Sequence, residues 1–480
     1  MKRAHKQNKI LNKTRILAIT GVMAILFPGT GCKKYLSIPL PVNSIAAADA
    51  YATDPTTASV LNNIYYNFQV PGWLGGASGL GMDAGLYTDE LQTVSSSSAV
   101  LKGFYANTIT GDNGGVQWGE YYKQMNAANT TIEAMRSSSL PFKNQWLGEA
   151  LFLRGLMYYY LTNLYGDVAL ALSSDYVVNG ALSRSPKSDV NKQIVADLKE
   201  AQGLLSASYL DYNGNTATDR ARPNKAAAAA LLARVYLYQG SWADAEAQAS
   251  TVIGDNTYAM ETPANVFLAK SRENIWGLLP TQGLLYLVQD PLGYQITAGT
   301  SPTTSGVGVI LSPQLLNSFE ANDARYINWI GVSTVGTTNY YYANKYKVKD
   351  PASANIETFV VLRLAEQYLI RAEARVEQNN LTGAISDINV IRTRAGLPAT
   401  TASAKSDLLS AIMQERRVEF FTEMGHRFFD LRRTGTVDAV MGVVSPQKGS
   451  NWASYMQYWP IPTSETQRNT HLKQTPGYQQ

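Results

Sequence analysis

The chain has 480 residues, 45% of them apolar, and a single cysteine, Cys32. Lys and Arg number 41 against 37 Asp and Glu, but six of the basic residues fall within the first 31 positions, so the rest carries 35 basic and 37 acidic residues. That near balance excludes the basic surface that nucleic acid requires. One cysteine excludes an intramolecular disulfide, so stability must come from a large core.

The first 31 residues have the layout of an export signal. A basic stretch, Lys2–Arg15, precedes the apolar run Ile16–Phe27, and small residues follow up to Gly31. The apolar run is about half of the ~20 residues that a spanning helix needs, which indicates a cleaved signal peptide. Cys32 directly after the small residues predicts cleavage before it and lipid attachment to its thiol. The alternative is an ordinary signal peptide with an unrelated cysteine beside it.

Residues 32–50 are expected to form a lipidated tether, because prolines and small polar residues interrupt any periodicity there, and residues 51–480 to form a single domain. Helical spacing of apolar side chains then predicts a series of helices. They cover Gln117–Met135, Trp146–Tyr165, Asp189–Leu205, Asn224–Gln239, Trp242–Ile253, Leu362–Gln378 and Leu381–Arg394. The alternating run Asn339–Val348 favours a strand.

Several consecutive helices carry small residues at facing positions and are joined by short turns, as at Gly240. Such pairs resemble the tetratricopeptide unit, although they do not recur at its ~34-residue period. Helical pairs are predicted over about 117–254 and 362–435. The Gly-, Ser- and Thr-rich stretches, about 68–115 and 255–360, are predicted to form a loop-rich face for ligand and partner. The predicted fold class is mostly α.

Motifs for enzymatic chemistry are sparse. After the signal segment the histidines are His426 and His471, and no second cysteine follows Cys32, so a zinc site is poorly supplied. Neither a nucleophile-elbow motif nor a phosphate-binding loop motif is present. The sequence therefore favours a binding protein over an enzyme.

A glycine-rich segment, residues 79–85, is predicted to be a flexible loop. Asp83, Asp89 and Glu90 lie in or just after it. A glycoside hydrolase needs two carboxylates at a fixed separation across a cleft, so this group leaves a hydrolase open as a lesser alternative.

Seven blocks, taken in order from the cysteine to the C-terminus, resemble the SusD/RagB family of outer-membrane nutrient-binding lipoproteins. They are GCKKYL at 31–36, GEALFLRGLMYYYLTNLYGDVAL at 148–170, RPNKAAAAALLARVYLYQGSWADAEAQA at 222–249, LRLAEQYLIRAEARVEQ at 362–378, INVIRTRAGLP at 388–398, ERRVEFFTEMGHRFFDLRRTG at 415–435 and YWPIPTSETQRNTHLKQTPGY at 458–478. Helical pairs rich in alanine are common, but seven such blocks in order are specific to the family.

The resemblance implies a SusD-like fold, in which four tetratricopeptide-like helix pairs support an irregular face with a few short strands. It also implies a non-catalytic protein that captures an oligosaccharide or polysaccharide, or in some members a peptide. Such proteins deliver the ligand to a SusC-like TonB-dependent transporter. No cofactor is expected, and the sequence leaves open whether a calcium ion orders a loop. The implied location is the outer membrane, lipid-anchored and facing the exterior, although Lys33 and Lys34 stand where exposed members often carry acidic residues.

The block at 415–435 contains a dense group of charged residues. They are Glu415, Arg416, Arg417, Glu419, His426, Arg427, Asp430, Arg432 and Arg433. An active-site cluster is one interpretation. We favour a helix end docked by ion pairs, with Arg427 and Asp430 paired at i,i+3 spacing.

A sugar site needs flat aromatic rings with planar polar side chains beside them. Loop position and residue type select Trp73, Tyr87, Asp89, Gln92, Gln289 and Tyr294 as the predicted ligand-binding residues. Further candidates in the same stretches are Asp83, Phe104, Tyr105, Asn107, Asn113, Tyr286, Asp290, Tyr340, Tyr341 and Tyr342. Trp118 and Trp276 begin or flank ordered segments and are expected in the core. In a strand at most two of the three consecutive tyrosines can share a face.

The leading alternative to glycan capture is a peptide-binding member of the same family. A helical-repeat scaffold for other surface proteins is a lesser alternative, which predicts exposed apolar grooves along the helix pairs.

Overall fold

The computed structural model describes residues 47–69, 74–75, 79–114, 116–280, 288, 290–348 and 356–479. Its helices, numbered in chain order, are α1 (Ala47–Ala50), α2 (Asp54–Gln69), α3 (Leu80–Tyr87), α4 (Ala99–Tyr105), α5 (Val116–Arg136), α6 (Lys143–Tyr165), α7 (Tyr176–Asn179), α8 (Lys187–Leu204), α9 (Lys225–Gln239), α10 (Trp242–Ile253), α11 (Asp290–Tyr294), α12 (Pro313–Leu316), α13 (Ala324–Trp329), α14 (Leu364–Glu377), α15 (Leu381–Arg394), α16 (Lys405–Glu419), α17 (His426–Arg433), α18 (Val437–Gln447) and α19 (Thr463–Arg468). A 3₁₀ turn covers Ser454–Gln457. The chain from Tyr51 to Gln480 forms one compact unit.

Strands are short and pair two by two in the described part of the chain. They are β1 (Leu91–Thr93), β2 (Val168–Ala169), β3 (Arg184–Ser185), β4 (Asn274–Leu278), β5 (Val309–Leu311), β6 (Ile330–Val335), β7 (Thr338–Ala343) and β8 (Phe359–Arg363). Each pair is antiparallel, as β1 with β5, β2 with β3, β4 with β8 and β6 with β7. The predicted strand at Asn339 is β7, and it ends at Ala343.

The core is built from helices that pack on their neighbours in sequence, and the mostly α prediction is confirmed. The helix pairs are α5 with α6, α9 with α10, α14 with α15 and α16 with α17. α6 is the central helix, since every residue from Gln145 to Tyr165 is buried, and it also packs on α8. In the turn after α9, Gly240 adopts a left-handed conformation (φ 71°), which only glycine takes without strain.

Buried ion pairs tie these helices together. Arg154 on α6 meets Asp197 on α8 at 2.7 Å, and Arg234 on α9 meets Glu366 on α14 at 2.6 Å. A charge of this kind is tolerated in a core only when its partner is buried with it. The pairs therefore fix which helix lies beside which.

The structure differs from the sequence prediction in residues 79–85. That segment is not a flexible loop: it opens α3, and all of Leu80–Tyr87 is buried. At Gly81 the backbone of α3 lies directly against the segment after α16. A Cβ at this position would sit 2.1 Å from the Thr422 carbonyl oxygen, so only glycine fits there. Within the described ranges, no helix is both long enough and apolar enough to cross a membrane.

Candidate functional site

Described residues that flank the stretches 70–73, 281–287 and 349–355 meet around one aromatic side chain, Phe359. The β4–β8 pair places Leu278 opposite Phe359, so residues 281–287 leave from this point. The Gln69 side-chain amide donates to the Leu279 carbonyl at 2.5 Å, which brings in the end of α2. Gly75 lies against the same ring, because a Cβ there would be 2.5 Å from Phe359 Cε2.

The third segment, residues 349–355, is anchored nearby. The Glu357 carboxylate accepts the backbone N–H of Lys347 at 2.8 Å and of Val348 at 3.1 Å, so the two flanks of this segment meet. Asp290 and Phe359 line a common cavity of about 10 Å³, too small for a ligand. We call the set Gln69, Gly75, Leu279, Asp290 and Phe359 the Phe359 junction.

Three of the predicted site residues belong to the segments that leave this junction. Trp73, Tyr286 and Gln289 all lie outside the described residues, and so does Cys32. Their roles stay predictions. The described flanks show that the segments carrying Trp73, Tyr286 and Gln289 start from one place in the fold.

Tyr87 is not a ligand platform, and its prediction is wrong. Its ring is fully buried, with edge contacts to Phe428 at 5.3 Å and Trp459 at 5.8 Å between ring centroids. Its hydroxyl donates to the Met456 carbonyl at 2.9 Å. A ring enclosed on its faces and edges has no surface left for a sugar.

Tyr294 is not a ligand platform either, because its ring is also buried. It is buried in α11, and burial raises the pKa of its hydroxyl well above the usual value. Its ring lines the small cavity beside Phe359. Tyr294 therefore supports the junction from inside the core.

Asp89 is a structural ion-pair partner, so its prediction as a ligand residue is also wrong. The Arg427 guanidinium donates to both of its oxygens at 2.9 Å, and Arg417 donates to Oδ2 at 2.7 Å. Burial raises the pKa of the Asp89 carboxyl, but the positive charges and hydrogen bonds of Arg427 and Arg417 outweigh this effect. The pKa of Asp89 therefore lies below its usual value. Both lone-pair faces of the carboxylate are occupied by protein.

The neighbouring carboxyls are buried and protonated at neutral pH. Burial raises the pKa of Asp83 to about 8, although Gln117 donates to it, and burial followed by the charge of Asp89 raises the pKa of Glu90 to about 8. Asp83, Asp89 and Glu90 thus give no pair of exposed carboxylates facing each other across a cleft. They do not supply the machinery of the hydrolase alternative.

The remaining candidates fall into accessible and buried groups. Phe104 and Asn107 are buried, and Trp118 and Trp276 lie in the core as expected. Gln92, Tyr105, Tyr340, Tyr341 and Tyr342 are half-buried, and Asn113 is exposed. Gln92 pairs with Ile310 in the β1–β5 ladder and remains a prediction.

Tyr341 and Tyr342 point to opposite sides of the β6–β7 hairpin. Tyr341 stands opposite Val332, and the Tyr342 ring covers Gly331, where a Cβ would lie 2.2 Å from it. The prediction that the three tyrosines do not share one face is consistent with this register.

The charged group at 415–433 is structural, but one predicted pairing is wrong. Arg427 binds Asp89 and not Asp430. Asp430 is shared by Arg416 and Arg433, both at 2.7 Å. Arg427 therefore pairs outside its own helix, with a carboxylate that it shares with Arg417.

The structure also contains accessible clefts, the first of them a groove along helix pairs of the kind that the scaffold alternative predicts. A groove of about 800 Å³ runs beside α9, α14, α16 and α17. A second cleft, of about 340 Å³, lies between α5, α7 and α19. The one available sequence signal for the second was the run Tyr176-Val177-Val178, three apolar residues directly after Asp175.

Metal ligands are not grouped in the described part of the chain. There, no set of three or more His, Cys, Asp or Glu side chains is placed to hold an ion.

These features define a protein of packed helix pairs in which the described flanks of several connecting segments meet at the Phe359 junction. Comparison with known families gives two matches, the SusD family over residues 318–478 and a family described as starch-binding and associating with the outer membrane over residues 81–237. The chain belongs to the SusD/RagB-like family.

Relatives and solved structures agree with this placement. SusD-like protein P2 of Formosa agariphila is 26% identical, over 77% of this chain and 82% of the relative. A SusD-like protein from Bacteroides fragilis superposes with a TM-score of 0.75 at 21% identity, covering 92% of this chain and 100% of that one. A laminarin-binding SusD-like protein superposes with a TM-score of 0.72 at 24% identity, covering 90% and 99%. The structural likenesses establish the fold.

Proposed function

We propose that the protein captures a glycan outside the cell and delivers it, unaltered, to a SusC-like TonB-dependent transporter. The observation that carries the proposal is the Phe359 junction, because its residues flank the stretch 70–73, which holds Trp73, and the stretch 281–289, which holds Tyr286 and Gln289. Rings and amides on adjacent segments are the chemistry of a sugar site. A family of starch-binding proteins and a laminarin-binding neighbour support a glucan as the ligand class.

The same proposal places the protein at the outer membrane. The predicted lipid on Cys32 supplies the anchor, and the matched family is described as associating with that membrane. The export layout of residues 1–31 supports this location.

Capture without catalysis fits the described carboxyls. Asp89 is neutralised by two arginines, and Asp83 and Glu90 are buried and protonated. A binding site needs no perturbed acid or base, so rings and hydrogen-bonding groups are enough.

Calorimetric titration tests the proposal. The purified protein is titrated with soluble starch, laminarin, xylan and a peptide mixture, with product analysis after each run. We expect saturable binding of one polysaccharide, at least 10-fold weaker in Trp73→Ala, with the polymer recovered intact. Tyr212→Ala is the matched control, because Tyr212 is an exposed aromatic away from the junction.

Other outcomes reassign the function. Binding of the peptide mixture alone selects the peptide-binding alternative. Shortened polymer after incubation contradicts a non-catalytic role. Binding that is insensitive to Trp73→Ala removes that residue from the site.

The groove of about 800 Å³ favours one second candidate function, a helical-repeat scaffold. Leu409 and Met413 of α16 line it together with Trp242, so it offers apolar surface to another protein. Leu409→Asp with Met413→Asp tests this candidate. If the double variant still co-purifies with the transporter and still binds glycan, the groove is not needed for assembly. That result argues against the scaffold function.

A further inference from the structure

The cleft between α5, α7 and α19 has the chemistry of a sugar site of its own. Its volume of about 340 Å³ is in the range of small-ligand sites. Its lining combines aromatic rings with planar polar groups, contributed by Trp118, Tyr122, Asn126, Tyr176, Glu465 and Arg468. We call it the Tyr176 pocket. No residue of the Phe359 junction lines it.

The aromatic wall is held in place. The Trp118 and Tyr122 rings lie 4.8 Å apart between centroids, and the Tyr122 hydroxyl donates to the Ala169 carbonyl at 2.7 Å. This bond fixes Tyr122, which is half-buried and forms the accessible part of the wall, while Trp118 is buried against it. A preformed apolar wall costs a ligand little ordering free energy.

Tyr176 forms the exposed rim of the pocket. It is 84% exposed, more than any other large apolar side chain in the described ranges. Its backbone is nonetheless fixed, since Asp175 caps α7 by accepting the N–H of Val177 at 2.8 Å, and Asn179 donates to the Ser173 carbonyl at 2.7 Å. With Val177 and Val178 exposed beside it, the turn presents a contiguous apolar patch to solvent, and such patches mark contact surfaces.

The polar side of the pocket comes from α5 and α19. Asn126 is exposed on α5, and Arg468 on α19 pairs with Glu465 at 3.1 Å while staying 76% exposed. An amide, a carboxylate and a guanidinium together offer donors and acceptors to adjacent hydroxyls. α5 contributes both the rings and the amide, since Trp118, Tyr122 and Asn126 recur at four-residue spacing on one helix face, and α19 adds the charged pair. Ring faces beside hydrogen-bonding groups are what a pyranose requires.

Charge argues against a lipid occupant. Arg468 is the basic residue of the lining and is paired with Glu465, and residues 172–183, which carry Tyr176, contain Asp175 and no lysine or arginine. Docking on an anionic bilayer surface depends on basic side chains near the apolar ones. The pocket also has depth, whereas insertion into a bilayer needs a protruding surface.

We propose that the Tyr176 pocket binds a pyranose ring of a glycan, independently of the Phe359 junction. The site would hold a second portion of a long polysaccharide while the first is engaged elsewhere. Linking two weak sites through one chain raises overall avidity without any new contact. The inference does not depend on Trp73.

Affinity electrophoresis in gels containing soluble starch, laminarin, xylan or galactomannan tests the proposal. For the retained polysaccharide we expect Tyr176→Ala to weaken binding about 5- to 10-fold, the value of one stacked ring, and Tyr176→Phe to stay within about 2-fold of the native protein. Tyr212→Ala is the matched control, because Tyr212 is 54% exposed and does not line the pocket. Trp73→Ala with Tyr176→Ala should bind more weakly than Trp73→Ala alone.

Several results overturn the proposal. One is equal retention of Tyr176→Ala and the native protein in every gel, in both backgrounds. Another is no retention of the native protein by any of the polysaccharides. In a third, Tyr176→Ala binds glycan as the native protein does but sediments less with phosphatidylethanolamine–phosphatidylglycerol vesicles. That result assigns the ring to a lipid surface.

Discussion

Asp89 and Arg427 stand 338 residues apart in the chain, and the guanidinium of Arg427 donates to both oxygens of the Asp89 carboxylate at 2.9 Å. With Arg417 on the same carboxylate, this contact ties the segment after α3 to α16 and α17. Asp89→Asn leaves two largely buried guanidiniums facing a neutral amide. We expect the free energy of unfolding to fall by about 3 kcal/mol, measured by denaturant titration, with glycan affinity unchanged.

Asp244→Asn is the control for this substitution, because Asp244 is an exposed carboxylate on α10, and it should change stability by less than about 0.5 kcal/mol. The pH dependence has a definite sign. Since the folded pKa of Asp89 is lowered, its contribution is present above the unfolded pKa of about 3.9 and is lost as the pH falls through the folded pKa. A loss of glycan affinity without a loss of stability would return Asp89 to the ligand site.

The buried carboxyls Asp83 and Glu90 predict the opposite pH trend. In the folded protein both pKa values are raised to about 8, whereas the unfolded groups lose their protons near about 4. Between those values the folded state holds more protons, so stability falls as the pH rises, by about 1 kcal/mol per pH unit and group. Asp83→Asn with Glu90→Gln should flatten this slope and raise the free energy of unfolding at pH 7.5.

Each amide keeps the oxygen that accepts from Gln117 or from the Thr422 backbone. The double change therefore removes the ability of the two side chains to ionise and little else. Urea unfolding at intervals between pH 5 and 8.5 measures the slope. Asp112→Asn, at an exposed carboxylate, should leave it as in the native protein. A double variant with the native slope would mean that these two carboxyls ionise normally in the fold.

Long helices could be predicted from the sequence because their apolar faces repeat over several turns. α10 and α15 match their predicted limits, and α5 and α6 begin within three residues of theirs. α3 could not be predicted in this way. It is a short, glycine-rich helix whose formation depends on the backbone of Thr422, more than 300 residues later.

The ligand residues show where sequence reasoning stops. Aromatic character and a position outside periodic helices select Tyr87 and Tyr294, but residue type does not say whether a ring faces solvent or the core. Their burial is set by partners distant in sequence, such as Phe428 for Tyr87. Apolar periodicity does not predict the fixed, exposed turn at Tyr176, because hydrogen bonds such as that from the Val177 N–H to Asp175 create it.

Close packing of α6 on α8 yields a third prediction. A Cβ on Gly155 would lie 3.0 Å from two carbons of Leu198, which is fully buried and has no space to withdraw. Gly155→Ala should therefore destabilise the protein by about 1–3 kcal/mol despite the higher helix propensity of alanine. Gly442→Ala, in the middle of α18 with no atom within 4 Å of the added Cβ, should instead stabilise it by about 0.5–1 kcal/mol. Thermal unfolding of both variants gives the comparison, and equal shifts would argue against tight α6–α8 packing.

The Phe359 junction yields the last prediction, which couples structure to binding. In Gly75→Ala the added Cβ would sit 2.5 Å from the Phe359 ring, so either the ring or the chain at position 75 must move. Since the segments with Trp73 and Tyr286 leave from this point, we expect glycan affinity to fall about 10-fold, because a displacement near 1 Å disrupts an ordered site.

Phe359→Leu removes the ring atoms that the new Cβ meets, and it should restore part of the affinity when combined with Gly75→Ala. The native protein, the two single variants and the double variant form a double-mutant cycle. Titrating each with the bound polysaccharide gives the coupling free energy, which should be about 0.5–3 kcal/mol for two residues in contact. Gly103→Ala controls for the chemistry of the change, because the nearest atom to its Cβ is 3.9 Å away. Zero coupling, with both single variants binding normally, would separate the junction from the ligand and leave the positioning of Trp73 to contacts elsewhere.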